Sequence, residues 1–93
     1  MVLKLKYHPD VKRSDLPKID AKNRGTIKRA IEDRLATQPE AYGKPLRRTL
    51  KGYWKLRVGD YRVVFKVSSN SIFIFGIIHR KEVYRLIKKR IEA

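Results

Sequence analysis

The chain has 93 residues, 42% of them apolar, which is enough for one small core, and its 24 lysines and arginines against 9 acidic residues give a net charge of +15 spread along the whole sequence. Such a field favours an anionic partner, nucleic acid or acidic protein. With no cysteine and two well-separated histidines, disulfides, thiolate chemistry and zinc spacing are excluded, and no signal-peptide pattern or bilayer-length apolar run is visible, so a cytoplasmic protein without membrane contact or metal is expected.

Val2 to Tyr7 sets Leu3, Leu5 and Tyr7 against Val2, Lys4 and Lys6, the alternation of a half-buried strand. Pro9 and Asp10 end it, and a short helical turn is expected over Val11 to Leu16 before Pro17. Asp20 can cap a longer helix that carries Ile27, Ala30, Ile31 and Leu35 at helical spacing. Gly25 weakens that helix near its start and Pro39 bars its continuation, while Lys22, Arg24, Lys28, Arg29, Asp33 and Arg34 form a solvated face. Gln38 to Leu50, with Tyr42, Gly43 and Pro45, reads as an irregular connection.

The stretch from Tyr53 to Phe65 has the strictest alternation in the chain. Trp54, Leu56 and Val58 point one way, and Tyr53, Lys55 and Arg57 the other. With Gly59-Asp60 as a two-residue turn, Val58 opposes Tyr61, Leu56 opposes Val63, Trp54 opposes Phe65, and Arg57 opposes Arg62. Like charges placed opposite each other weaken a sheet, and Lys55 lies diagonal to them. An anion held among the three cations relieves that repulsion; a solvated basic strand is the other reading.

After a Ser68–Ser71 turn, Ile72 to Ile78 is apolar at both parities, as expected for a central strand covered on both faces, and Gly76 leaves a gap on one of them for close packing. A final helix is expected from Glu82 to Ile91, with Val83, Leu86, Ile87 and Ile91 as its apolar stripe and Tyr84 off that stripe. Arg85, Lys88, Lys89 and Arg90 near its end suit the helix dipole. The fold class is therefore α+β, a single small domain over residues 1–93: an N-terminal strand and helices, an antiparallel three-strand meander and a C-terminal helix.

The text Leu46…Leu50-Lys51-Gly52-Tyr53…Leu56-Arg57-Val58-Gly59-Asp60-Tyr61-Arg62-Val63-Val64-Phe65, with the closing His79-Arg80-Lys81-Glu82-Val83-Tyr84, resembles the RelE/ParE superfamily of bacterial and archaeal toxins over essentially the whole chain. The Asp-Tyr-Arg core is shared by RNases and non-RNases in that superfamily. The ending His79-Arg80…Val83-Tyr84 resembles the RelE branch, the messenger-RNA interferases. The resemblance implies a β-α-α-β-β-β-α fold and a type II toxin. It also implies metal- and cofactor-independent cleavage of messenger RNA at the ribosomal A site, by attack of a ribose 2′-hydroxyl on the adjoining phosphate. Partners implied with it are messenger RNA, the ribosome and an acidic or amphipathic RelB-like antitoxin.

Carried over by position, Lys55, Arg62, Arg80 and Tyr84 match catalytic positions, with Tyr53, Arg57, His79 and Lys81 as RNA-binding candidates. The chemistry needs a proton acceptor, cations for charge growing on the phosphoryl oxygens and a proton donor for the leaving oxygen. Lys55 suits the first role because Arg57 and Arg62 oppose a third positive charge beside them. Arg62 is a guanidinium in mid-strand, where Thr or Val is commoner. Arg80 follows the last strand, where loops on a rigid sheet hold active groups, and is otherwise a loop cation. Tyr84 can stack on a base or pack on the sheet edge, and His79 can shuttle a proton. Tyr53 stands where well-known RelE proteins carry a second lysine, and the loop from Arg80 to Tyr84 is shorter than in some relatives. A ParE-like non-catalytic toxin that inhibits DNA gyrase and a non-catalytic RNA-binding module are the alternatives.

Overall fold

Alternating apolar residues become strands, and helical spacing becomes the layers that cover them. The computed structural model describes residues 3–46 and 52–92; Val2, the end of the expected connection up to Leu50, and Lys51 lie outside them. Five strands form one mixed sheet in the order β1-β5-β4-β3-β2. β3 (Trp54–Val58), β4 (Tyr61–Val67) and β5 (Ser71–His79) are the antiparallel meander, and β1 (Lys4–Tyr7) runs parallel to β5. The hairpin has the expected register, Trp54 opposite Phe65, Leu56 opposite Val63, Arg57 opposite Arg62 and Val58 opposite Tyr61. Gly59 takes a φ of 61°, the left-handed conformation that a two-residue turn requires of its first residue.

One face of the sheet meets the N-terminal helices. A helical segment (Val11–Asp15, then Leu16–Lys18) leads into α1 (Ala21–Ala30), which Asp20 starts by accepting from the Asn23 backbone N–H at 3.4 Å and its side-chain amide at 2.6 Å. The last turn, Ile31–Leu35, is widened, with the Ala36 N–H reaching back five residues to Ile31, and it buries both Ile31 and Leu35. Together with Val11, Ile19 and Ile27, these residues pack on Leu56, Val58, Val63, Phe65, Ile72, Ile74 and Ile77. At about 1.5–3 kcal/mol for each large apolar side chain taken from water, this layer is the main source of stability.

The second face is closed by α3 (Val83–Glu92), whose Val83 and Ile87 pack on Leu46, Val64 and Ile78. β5 is thus covered on both faces, as its doubly apolar pattern predicts. A Cβ on Gly76 would stand 2.9 Å from Ile87, Ile78 and Arg90, so the gap in the strand is filled by α3. Between Val64 and Phe65 the register slips, Val64 facing Gly76 and Phe65 facing Ile74, and Phe75 is left as a bulge.

Two expectations change. The stretch after Gln38 is ordered rather than irregular up to Pro45: Pro39 opens a short helix, α2 (Pro39–Tyr42), and β2 (Lys44–Pro45) pairs with β3, placing Lys44 opposite Lys55. Arg90 is not a solvated cation serving the helix dipole. Its side chain is 8% exposed and forks onto the buried Asp15 carboxylate, Nη1 to Oδ2 at 2.9 Å and Nη2 to Oδ1 at 3.0 Å, while Nη1 also donates to the Phe75 carbonyl at 2.7 Å. The pairing pushes Arg90 above the usual guanidinium range, chiefly through its hydrogen bonds to Asp15.

Asp15→Asn should lower unfolding stability by about 3–5 kcal/mol, the cost of stranding one member of a buried ion pair, and a paired Asp15→Leu/Arg90→Met replacement should recover part of it. Urea denaturation checks this; a loss under about 1 kcal/mol for Asp15→Asn would show the pair to be peripheral. Glycine replacements should differ in sign. Gly43→Ala places a Cβ 2.5 Å from the Phe65 ring and 3.0 Å from the Pro39 carbonyl and should cost about 1–3 kcal/mol. Gly25→Ala, in α1 with no atom within 4 Å of its Cβ, should gain about 0.5–1 kcal/mol. Equal midpoints for the two variants would contradict the packing described.

Candidate functional site

The face of the hairpin that α3 leaves uncovered carries its cations. Lys55 and Arg57 alternate with core residues on β3, Arg62 stands opposite Arg57 on β4, and Lys44 stands opposite Lys55 on β2. Sheet geometry therefore gathers them without any loop. Together with Tyr42 at the end of α2, they line a cleft of about 270 Å³ that has no acidic side chain in its lining among the described residues. Such a lining offers donors and positive charge only, so it fits a phosphate or another anion rather than a metal.

Arg62 is the most constrained member. Its Nη1 donates to the Gly59 carbonyl at 3.0 Å and to the Tyr61 carbonyl at 2.9 Å, which folds the guanidinium over the hairpin turn and leaves its remaining N–H groups without a partner among the described residues. Burial, followed by the like charges of Arg57 and Arg80, holds it below the usual guanidinium range, partly offset by Asp60. It stays charged at neutral pH in surroundings that favour an added anion.

Arg80 reaches the same group from the turn after β5. Its backbone N–H donates to the Asp60 carbonyl at 2.8 Å, and its Nε lies 3.5 Å from the Asp60 carboxylate; both side chains are largely exposed, so the backbone bond fixes the turn more than the ion pair does. Tyr84, half-buried on the first turn of α3, packs against the second core, and the Lys55 ammonium lies 5.7 Å from its ring centroid. Lys55, Arg57 and Arg62 are thus gathered in the cleft, with Arg80 and Tyr84 beside it.

Three candidates stand elsewhere. Tyr53 shares the cationic face but turns into a row of aromatic rings, edge-on to Phe75 at 4.9 Å with the Lys66 ammonium 5.4 Å from its centroid, and it does not line the cleft. His79 pairs with Tyr61 at the end of β5 and meets that ring edge-on at 5.8 Å, on the opposite face with the N-terminal helices. Lys81 is exposed in the following turn, its backbone N–H donating to His79 Nδ1 at 3.3 Å. Sequence reasoning also passed over Tyr42 and Lys44. Their signal was present in Pro39, which suits a helix start, and in Gly43 between two prolines, a segment with too few residues to show a period.

Comparison with known proteins agrees with this architecture. Residues 5–84 match the family described as ParE toxin of type II toxin-antitoxin system, parDE. Toxin RelG of Mycobacterium tuberculosis is 31% identical over 75 residues, which cover 78% of this chain and 86% of RelG. Toxin RelE of the same organism is 39% identical over 54 residues, 56% of each chain. Among solved structures, the toxin-antitoxin complex RelBE2 from M. tuberculosis superposes with a TM-score of 0.79 at 26% identity, covering 86% of this chain and 93% of that one. The RelB-RelE antitoxin-toxin complex from Methanococcus jannaschii shares the fold, with a TM-score of 0.67 at 22% identity over 87% and 96% of the two chains. By its match over most of its length, its register and its two-faced sheet, the chain belongs to the ParE toxin family of type II toxin-antitoxin systems, within the RelE/ParE superfamily.

Proposed function

We propose that this protein is an endoribonuclease toxin of the RelE type, a cytoplasmic protein that cleaves messenger RNA at the ribosomal A site and is silenced by a cognate antitoxin. The observation that carries this reading is the cleft in which Lys44, Lys55, Arg57 and Arg62 converge with no acidic side chain among the described lining residues. A fold gains nothing from opposing Arg57 and Arg62, whereas a bound phosphodiester relieves the repulsion.

In this reading Lys55 accepts the proton of the ribose 2′-hydroxyl. The 2′-oxygen then forms a bond to the adjoining phosphorus, the bond from phosphorus to the 5′-oxygen breaks, and a 2′,3′-cyclic phosphate is left. Arg62 meets the charge growing on the phosphoryl oxygens, and its fixed position over the hairpin turn supplies that stabilisation without rearrangement. Arg80, tied to Asp60 at the rim, counters charge on the departing 5′-oxygen, which takes a proton from solvent as it leaves, and Tyr84 orients the strand next to Lys55. Arg57 holds the phosphate, and no metal or cofactor is required. The similarity to toxins RelG and RelE, and to a toxin in complex with its antitoxin, supports both the toxin role and an antitoxin partner. The net charge of +15 favours an acidic or amphipathic antitoxin segment.

Purified protein added to translating ribosomes should produce metal-independent cuts within messenger RNA, mapped by primer extension. Arg62→Ala and Arg80→Ala should each reduce the cutting rate by about 100-fold or more with the fold intact by circular dichroism. Cuts that persist undiminished in Arg62→Ala would overturn the assignment. Inhibition of gyrase supercoiling with messenger RNA left intact would instead support the ParE-like non-catalytic reading.

A further inference from the structure

Tyr42 is an aromatic residue that neither core of the described residues uses. It is 49% exposed, and among the described residues its ring contact is with the guanidinium of Arg34, 5.7 Å from the centroid. Yet its position is tightly specified. Pro39 starts α2, and Gly43 then brings the backbone so close to the buried Phe65 ring that a Cβ there would lie 2.5 Å from it. The chain leaves this contact directly into β2, where pairing with β3 sets Lys44 opposite Lys55. Tyr42 and Lys44 are thereby held on the two sides of one anchored glycine, and both line the cationic cleft.

We propose that Tyr42 and Lys44 form a second nucleotide subsite, in which the Tyr42 ring stacks on a base of single-stranded RNA and Lys44 holds the phosphate next to that base. The inference rests on the reading of the cleft as an RNA site and extends it by one nucleotide toward the β2 edge of the sheet. Cations alone bind any polyanion, but an exposed ring beside them selects strands with unstacked bases, because stacking needs a free base face and duplex RNA has none to offer. Arg34 against the ring fixes its orientation and adds positive charge behind it. Lys44 extends the row of cations across β2, β3 and β4, so successive phosphates of one strand meet successive positive groups.

The test is fluorescence anisotropy with a 5′-fluorescein-labelled, 2′-O-methylated single-stranded RNA of about ten nucleotides, which binds but has no nucleophile for cleavage. Tyr42→Ala should weaken binding about tenfold, within the range for loss of one stacked base, and Tyr42→Phe should stay within about twofold of the parent. Lys44→Gln should weaken binding and reduce the slope of log affinity against log salt by about 0.7. An abasic strand of the same length should bind the parent and Tyr42→Ala alike. Parental affinity in Tyr42→Ala, equal losses in Tyr42→Phe and Tyr42→Ala, or an equal loss on the abasic strand would each overturn the subsite. So would an unchanged RNA affinity in Tyr42→Ala with weaker capture of an acidic antitoxin peptide, which would assign the ring to a protein partner. The catalytic reading fails separately. Loss of oligonucleotide binding in Tyr42→Ala, with messenger RNA never cut by the parent, removes catalysis and keeps the subsite; Arg62-dependent cutting with Tyr42→Ala binding like the parent does the reverse.

Discussion

The buried pair of Asp15 and Arg90 holds the two faces of this molecule together. β1 ends at Tyr7, so beyond Ile74 the neighbouring strand β5 has an edge with no strand beside it among the described residues. Its backbone groups are not left open: the Ile77 N–H donates to Asp15 Oδ2 at 3.0 Å, and the Phe75 carbonyl accepts from Arg90 at 2.7 Å. A carboxylate from the first helical segment and a guanidinium from the last helix therefore do the work of a missing strand, and they satisfy each other while doing so. Asp10, the residue just before that segment and 3.6 Å from Arg90 Nε, adds a second negative charge. Desolvating both ions costs several kcal/mol, and only the fork geometry and the backbone bonds offset it.

Against that framework the cationic cleft is a tolerated local cost. Cross-strand like charges cost roughly 0.2–1 kcal/mol, less than the roughly 1.5–3 kcal/mol from burying one neighbour such as Leu56 or Val63. The alternation that exposes Lys55 and Arg57 is the same alternation that buries Leu56 and Val58, so the core cannot move these cations without inverting the strand.

Much of this was legible in the sequence, for physical reasons that differ from residue to residue. The hairpin register followed from a period of two and a Gly-Asp turn, and the close approach at Gly76 followed from a glycine in a doubly apolar strand. The face that His79 takes could not be read from the sequence, because of the bulge at Phe75. Counting alternately from Ile74 puts residue 79 on the cationic face; the extra residue shifts the parity, so Ile77 and His79 join the N-terminal layer and Gly76 and Ile78 face α3. Isoleucine and phenylalanine at both parities conceal such a shift. The Asp15–Arg90 pair was equally hidden, since its members are 75 residues apart and an arginine near a helix end already has an adequate local explanation.

The hidden pair bears on the site as well as on the fold. α3 is fixed near its end by Arg90 at the bulge and near its start by Val83 on the second core. Tyr84 lies six residues before Arg90, roughly 9 Å along a helix, so the anchor at one end sets where the ring stands at the other, next to Lys55. The row of rings from Tyr53 through Phe75 to Phe73 and His8 fills the rest of that face, which explains why Tyr53 is drawn out of the cleft. What the described residues leave uncovered is the end of the sheet where β2, β3 and β4 carry Lys44, Lys55, Arg57 and Arg62. The cleft is therefore bounded by the packing of α3 on one side and by the contact of Gly43 with Phe65 on the other, and its cations hold their spacing because neither boundary is a loop of their own.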